Sequence, residues 1–122
     1  MTTVITGSFK KTLVQAEYAE TQLTSPTTTP PRSVVGYTKA VVSFKVTNIN
    51  TSVTLRVELS NVGGTSDSDW DNADPLNQDI LITQNGTKVF VFDGCAKYVR
   101  TRFVSESGGT DALINTIIRL ST

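Results

Sequence analysis

The chain has no histidine and a single cysteine, Cys95. Without histidine the commonest general base and the commonest metal ligand are both missing. One cysteine excludes a disulfide or a thiolate zinc site built within one chain. With no histidine to activate it, Cys95 reads as a small packed residue and not as a nucleophile. Charge is scarce as well: 18% of residues are charged, and eleven basic side chains balance eleven acidic ones. A neutral surface offers no broad basic field for nucleic acid and no polybasic anchor for a membrane. Residues 1–20 hold Lys10, Lys11, Glu17 and Glu20 and no long apolar run, so neither a signal peptide nor a membrane span is predicted there. The expected place of synthesis and folding is a reducing cytoplasm. No cofactor is predicted.

What the chain does have is β-branched residues, about a third of its 122 positions, and these favour strands over helices. Its clearest segment is Val53-Thr54-Leu55-Arg56-Val57-Glu58-Leu59-Ser60, where apolar and polar residues alternate. That period of two marks a strand with one buried and one wet face. Ala40, Val42, Phe44 and Val46 form a similar face, and so do Ala112, Ile114, Ile118 and Leu120. Turn chemistry at residues 48–52, Asn85-Gly86, Asp93-Gly94 and Gly108-Gly109 predicts hairpins between successive strands, and hence an antiparallel meander in the C-terminal half. Six or seven such strands predict an all-β fold, one small antiparallel β-sandwich of immunoglobulin-like or jelly-roll-like type spanning residues 33–122.

Residues 1–32 differ. Val4-Ile5 and residues 12–23 suit extended segments. Thr24-Ser25-Pro26-Thr27-Thr28-Thr29-Pro30-Pro31-Arg32 cannot form a helix and suits a polyproline-like connector. Two readings stay open, edge strands of the same sandwich or an extended arm that packs on a neighbouring subunit.

Each candidate site has a plainer alternative. Asp67, Asp69 and Asp71 alternate like the start of a calcium loop. However, Asn72 stands where such a loop turns on glycine and Gln78 where it needs a bidentate glutamate, so a solvated loop is the stronger reading. Trp70 either covers the end of the sandwich or stacks on a sugar or partner, with Tyr98 or Tyr37 as companion faces. Lys97-Tyr98-Val99-Arg100-Thr101-Arg102-Phe103 mixes basic and aromatic residues as single-strand binders do. It reads better as a strand with Val99 and Phe103 inward and Arg100 and Arg102 on the outer face. Asp69 and Asp71 would serve a glycosidase only across a cleft that nothing in the spacing provides. Asn50-Thr51-Ser52 and Asn85-Gly86-Thr87 match glycosylation acceptors without a secretory context.

Val-Glu-Leu-Ser-Asn (57–61), Asp-Trp-Asp-Asn (69–72), Asn-Gly-Thr-Lys-Val-Phe-Val-Phe (85–92) and Lys-Tyr-Val-Arg-Thr-Arg-Phe-Val-Ser (97–105) follow one another in a pattern that resembles small β-sandwich proteins of tailed-bacteriophage virions. The resemblance covers residues 38–120. It implies a non-enzymatic virion component made in the host cytoplasm: a head decoration (auxiliary capsid) subunit, or a head-to-tail or tail accessory protein. The partners it implies are other copies of the chain and a major capsid or tail protein, with no specific nucleic acid and no membrane. Trp70, Pro30, Pro31, Arg100 and Arg102 are then candidate interface residues. The competing expectation is a carbohydrate-binding module that uses Trp70 on a surface glycan.

Overall fold

A computed structural model of the chain describes residues 12–22, 27–29, 31–93 and 96–121. The alternating segments become strands: β1 (Thr12–Gln22), β2 (Thr27–Thr28), β3 (Arg32–Ser33), β4 (Lys39–Thr47), β5 (Ser52–Ser60), β6 (Asp71–Asn72), β7 (Ile80–Ile82), β8 (Gly86–Asp93), β9 (Tyr98–Ser107) and β10 (Leu113–Ser121). One single-turn 3-10 helix, Asp67–Asp69, is the only helical element among the described residues. All pairings are antiparallel. One sheet has the order β1-β10-β4-β8. In the other, β2 and β3 pair with β9, β9 with β5, and β5 with β6 and β7. The fold is an all-β sandwich.

The core lies between the sheets, and the expected faces supply it. Ala40, Val42, Phe44 and Val46 from β4 meet Val53, Leu55 and Val57 from β5, Val99 and Phe103 from β9, and Ile114, Ile118 and Leu120 from β10. Full burial of each large side chain contributes about 1.5–3 kcal/mol, so this apolar layer holds the sheets together. Phe44 meets Phe90 edge to face, with ring centroids 6.2 Å apart.

Six of the eight strand pairings share one centre. Thr12 pairs with Ser121, Thr27 with Phe103, Lys39 with Asp93, Val53 with Ile82 and Glu58 with Asn72. The midpoint of every one of these pairs falls between residues 65 and 68. The chain is therefore one long ribbon folded back on itself near residue 66 and then rolled up. β10–β4 and β9–β5 are the contacts that close the roll. This nesting is the jelly-roll arrangement and not the immunoglobulin one.

It also corrects the expected meander. β4 and β5 lie in different sheets, as do β7 and β8, β8 and β9, and β9 and β10. All four predicted hairpins are crossings from one sheet to the other. Alternation reports which face of a strand is buried but not which strand lies beside it, so turn residues at a crossing look like those of a hairpin. Three of the crossings are tied together by the asparagines of the acceptor-like triplets. The Asn85 side-chain oxygen accepts the Ile49 backbone N–H at 3.0 Å, and Asn50 Nδ2 donates to Asp111 at 3.3 Å.

The described part of residues 1–32 lies within the sandwich. β1 pairs with β10 along its length, and β2 and β3 lie on β9. Thr29 is buried, and its hydroxyl accepts the Thr101 N–H at 2.8 Å while its own N–H donates to the Thr101 carbonyl. The arm reading for residues 1–11, with Val4-Ile5, falls outside the described residues, as do Pro30 and Cys95. Deleting residues 1–32 removes β10's outer partner and part of β9's. The truncated chain is expected to lose cooperative thermal unfolding by circular dichroism. A truncated chain that stays folded would show that these strands are dispensable to the sandwich.

Candidate functional site

Residues 61–79 are the tip of the ribbon, and they do not trail into solvent. The tip starts at Ser60, whose buried hydroxyl accepts the N–H groups of Val62 and Gly63 at 3.0 and 2.9 Å. Gly63 then takes a left-handed φ of 74°, and a Cβ there would lie 2.8 Å from the Tyr98 ring. Only glycine satisfies both conditions. Further along, Asn72 Nδ2 donates to the Gln78 carbonyl and to Asp79, and Asn72 Oδ1 accepts the Asp74 N–H. These local bonds give the tip a shape that folds back over the outer face of β5 and β9.

What it covers is a cluster of charge. β5 and β9 are paired so that Glu58 lies opposite Arg100 and Arg56 opposite Arg102, all four on the face away from the core. Glu58 Oε1 accepts from Arg100 Nε at 2.7 Å, and Oε2 accepts from Arg102 Nε at 3.0 Å and Arg56 at 3.3 Å. The tip adds two acids. Asp67 Oδ1 accepts from Arg102 at 2.7 Å and from Arg100 at 3.0 Å, and Asp79 takes both Nε and a terminal nitrogen of Arg56. Three guanidiniums and three carboxylates cancel. Trp70 closes the cluster, its ring 4.3 Å from the Arg100 guanidinium carbon and its Nε1 donating to the Gly64 carbonyl at 2.8 Å.

Burial sorts these pairs. The side chains of Glu58 and Arg100 are each 4% exposed, so their charges are stable there only as a pair. Asp67 is 74% exposed at the rim. The hydrogen bonds from Arg102 and then Arg100 hold its carboxyl below the usual carboxylate range. Arg56 is raised chiefly by its bond to Asp79. At Arg102 burial acts to lower the value, and the bonds to Glu58 and Asp67 outweigh it, for a net rise.

The expected site residues fare differently. Arg100 and Arg102 face away from the core, and the tip covers that face, so Arg100 is buried within its own chain. Trp70 is 6% exposed and is not part of the apolar core between the sheets. It seals an ionic cluster, so its ring offers no open stacking platform for a sugar in this fold. Pro31 is exposed between β2 and β3. Asp67, Asp69 and Asp71 are not brought together. Asp67 turns to the arginines, the Asp69 carboxylate lies against Gly64, and Asp71 sits in β6 opposite Leu59. No group of three metal-ligating side chains forms among the described residues, and no helix among them is long and apolar enough to cross a membrane.

Sequence reasoning missed Arg56, Glu58 and Asp79. A signal was present in Arg56-x-Glu58 and Arg100-x-Arg102, each a charged pair two residues apart on the polar face of a strand. Charges so placed meet when the strands pair.

Two outcomes follow for this cluster. Glu58→Ala removes the buried partner of Arg100, leaving it only the rim carboxylate of Asp67, and should cost about 3–5 kcal/mol in chemical denaturation, whereas Asp67→Asn should cost much less. Because Asp67 is lowered by folding, its contribution is complete above the ordinary carboxylate pKa of about 3.9. It is lost as pH falls through the depressed native value. Trp70 fluorescence should therefore shift below about pH 4, and Asp67→Asn should remove that component. A pH profile unchanged by Asp67→Asn would show that the Asp67 pairs do not hold the tip in solution.

Neither a protein-family model nor a curated protein matches the chain by sequence. Solved structures do match by shape. The SPBc2 prophage-derived protein YomS aligns with a TM-score of 0.60 at 16% identity, covering 98% of this chain and 99% of that one. The K2 cleaved adhesin domain of Lys-gingipain aligns at 0.54 and 17% identity, covering 80% of this chain and 62% of that one. The coat protein of Tobacco streak virus aligns at 0.49 and 10% identity, over 93% and 86%. The first two likenesses place the chain among β-sandwiches of this shape.

Proposed function

We propose that this chain is a non-enzymatic structural subunit of a phage particle, in first place a decoration (auxiliary capsid) protein that docks on an assembled shell. One observation carries the reading: the shared shape with a prophage-derived protein extends over nearly the full length of both chains. The jelly-roll ordering of the strands is in keeping with it, since this architecture recurs in capsid domains. The fate of the charged residues adds support. Arg56, Glu58, Arg100, Arg102, Asp67 and Asp79 are used on one another, fixing the ribbon tip. A neutral, compact subunit of this kind suits a lattice, where many weak contacts sum to firm attachment. Its partners are then the shell protein and its own copies, and its destination is the virion.

A head-to-tail or tail accessory role differs from this in stoichiometry. The glycan-module alternative needs a surface other than Trp70, which is buried against Arg100.

Quantitative mass spectrometry of particles purified from cells that carry this gene tests the proposal. A copy number comparable with that of the shell subunit is the expected result. A few copies per particle would move the chain to the neck or tail, and absence from purified particles would overturn a virion role.

A further inference from the structure

One side of the sandwich ends in an open strand. β8 has β4 on one flank and, among the described residues, no strand on the other. Natural edge strands are usually blunted by proline, lysines, a bulge or a covering loop. β8 has no proline, pairs with β4 in unbroken register from Asp93 to Gly86, and carries Lys88 as the one charge between Gly86 and Phe92. Its stretch Val89-Phe90-Val91-Phe92 is apolar on both faces, which is the pattern of a strand covered on both sides. Phe90 and Phe92 do pack on the core. Val89 and Val91 instead remain 58% and 57% exposed on the outer face, beside Val41 and Ser43 of β4. Along the free edge runs a groove of about 440 Å³, with Phe90 and Phe92 on one wall and Ile80 and the exposed Leu81 on the other.

We infer that β8 is the contact strand of a twofold homodimer, in which two copies pair antiparallel edge to edge and join their β1-β10-β4-β8 sheets into one. The occupant is a second copy because the strand is complementary to itself. Antiparallel pairing that keeps the two outer faces on the same side must be centred on a residue. Centred on Phe90, it sets Val89 of each copy opposite Val91 of the other, the two exposed valines covering each other twice. Lys88 then falls opposite Phe92 and never opposite a second lysine, so no like charges meet. The chain's formal net charge of zero adds no long-range repulsion between copies. The backbone N–H and C=O groups of the free edge gain the partners they lack. An eight-residue strand is about 27 Å long, and the contact is small beside a standard interface of about 1,600 Å², so association should depend on concentration. The inference concerns the free protein and does not rest on the virion reading.

Sedimentation velocity of the full chain over a concentration series tests it, with folding checked by circular dichroism. The wild type is expected to move from monomer toward dimer as concentration rises. Val91→Lys should weaken the dimer about tenfold or more by facing charge into the valine stripe. Val35→Lys, at an equally open valine in the turn before β4, should leave it unchanged. Register is read by mixing Val89→Cys protein with Val91→Cys protein, each also carrying Cys95→Ser, under mild oxidation. Mixed disulfides in excess over either homodimer are expected, and this arm decides the matter if Val91→Lys fails to fold. A wild type that stays monomeric throughout would overturn the inference. So would a folded Val91→Lys that self-associates like the wild type, or homodisulfides equal to the mixed product.

Discussion

The sandwich rests on a constraint of connectivity: nested strands pair with those equally far from residue 66, and β10–β4 and β9–β5 close the roll. Every nested pair is centred near residue 66, so the chain forms one continuous rolled ribbon. From this the other features follow. The tip of the ribbon is forced onto the outer face of the sheet that its own flanking strands build. Strands adjacent in sequence must land in opposite sheets, and the two chain ends of the ribbon become neighbours. The apolar layer supplies most of the free energy of this arrangement. It is nearly indifferent, however, to which strand lies beside which, because valine meets valine equally well in many orders.

The ionic cluster supplies discrimination of that kind. Burying Glu58 and Arg100 brings little net stability, since desolvation offsets most of the attraction. A shift of β5 against β9 by one residue, however, would separate both charges from their partners and turn a neutral cluster into two buried ions. The pairing of Glu58 with Arg100, locked above by Asp67 and Trp70, thus penalises wrong registers far more than it rewards the right one. The apolar core makes the sheets stick, and the charges say where.

The sequence disclosed one level of this and concealed the next. Val53, Leu55, Val57, Ala40, Val42, Phe44, Ile114, Ile118 and Leu120 were legible as core because burial depends on a period of two that any strand must show. The pairing of strands was not legible. Asn85-Gly86 is an excellent hairpin signal by local chemistry, yet here its asparagine braces a crossing by accepting a bond from Ile49. Trp70 and the Asp67 segment were read as a polar loop because their partners, Arg100 and Arg102, lie thirty or more positions away. The departure from alternation at Val89-Phe90-Val91-Phe92 was also visible, and its meaning depends on knowing that β8 is an edge.

The pairing of Thr12 with Ser121 has a further consequence for how the molecule is made. On a ribosome adding about 5–20 residues per second, β1 is out of the tunnel on the order of ten seconds before β10 exists to receive it. Nested long-range pairing also gives a high contact order, which slows the search once the chain is complete. The innermost pair, β5 with β6 and β7, can close early around the tip, and each later strand finds its place on what is already rolled. Nested pairs therefore become complete in the order from the innermost outward, each when its C-terminal strand is made. Until the last strand arrives, the first waits with its backbone unpaired.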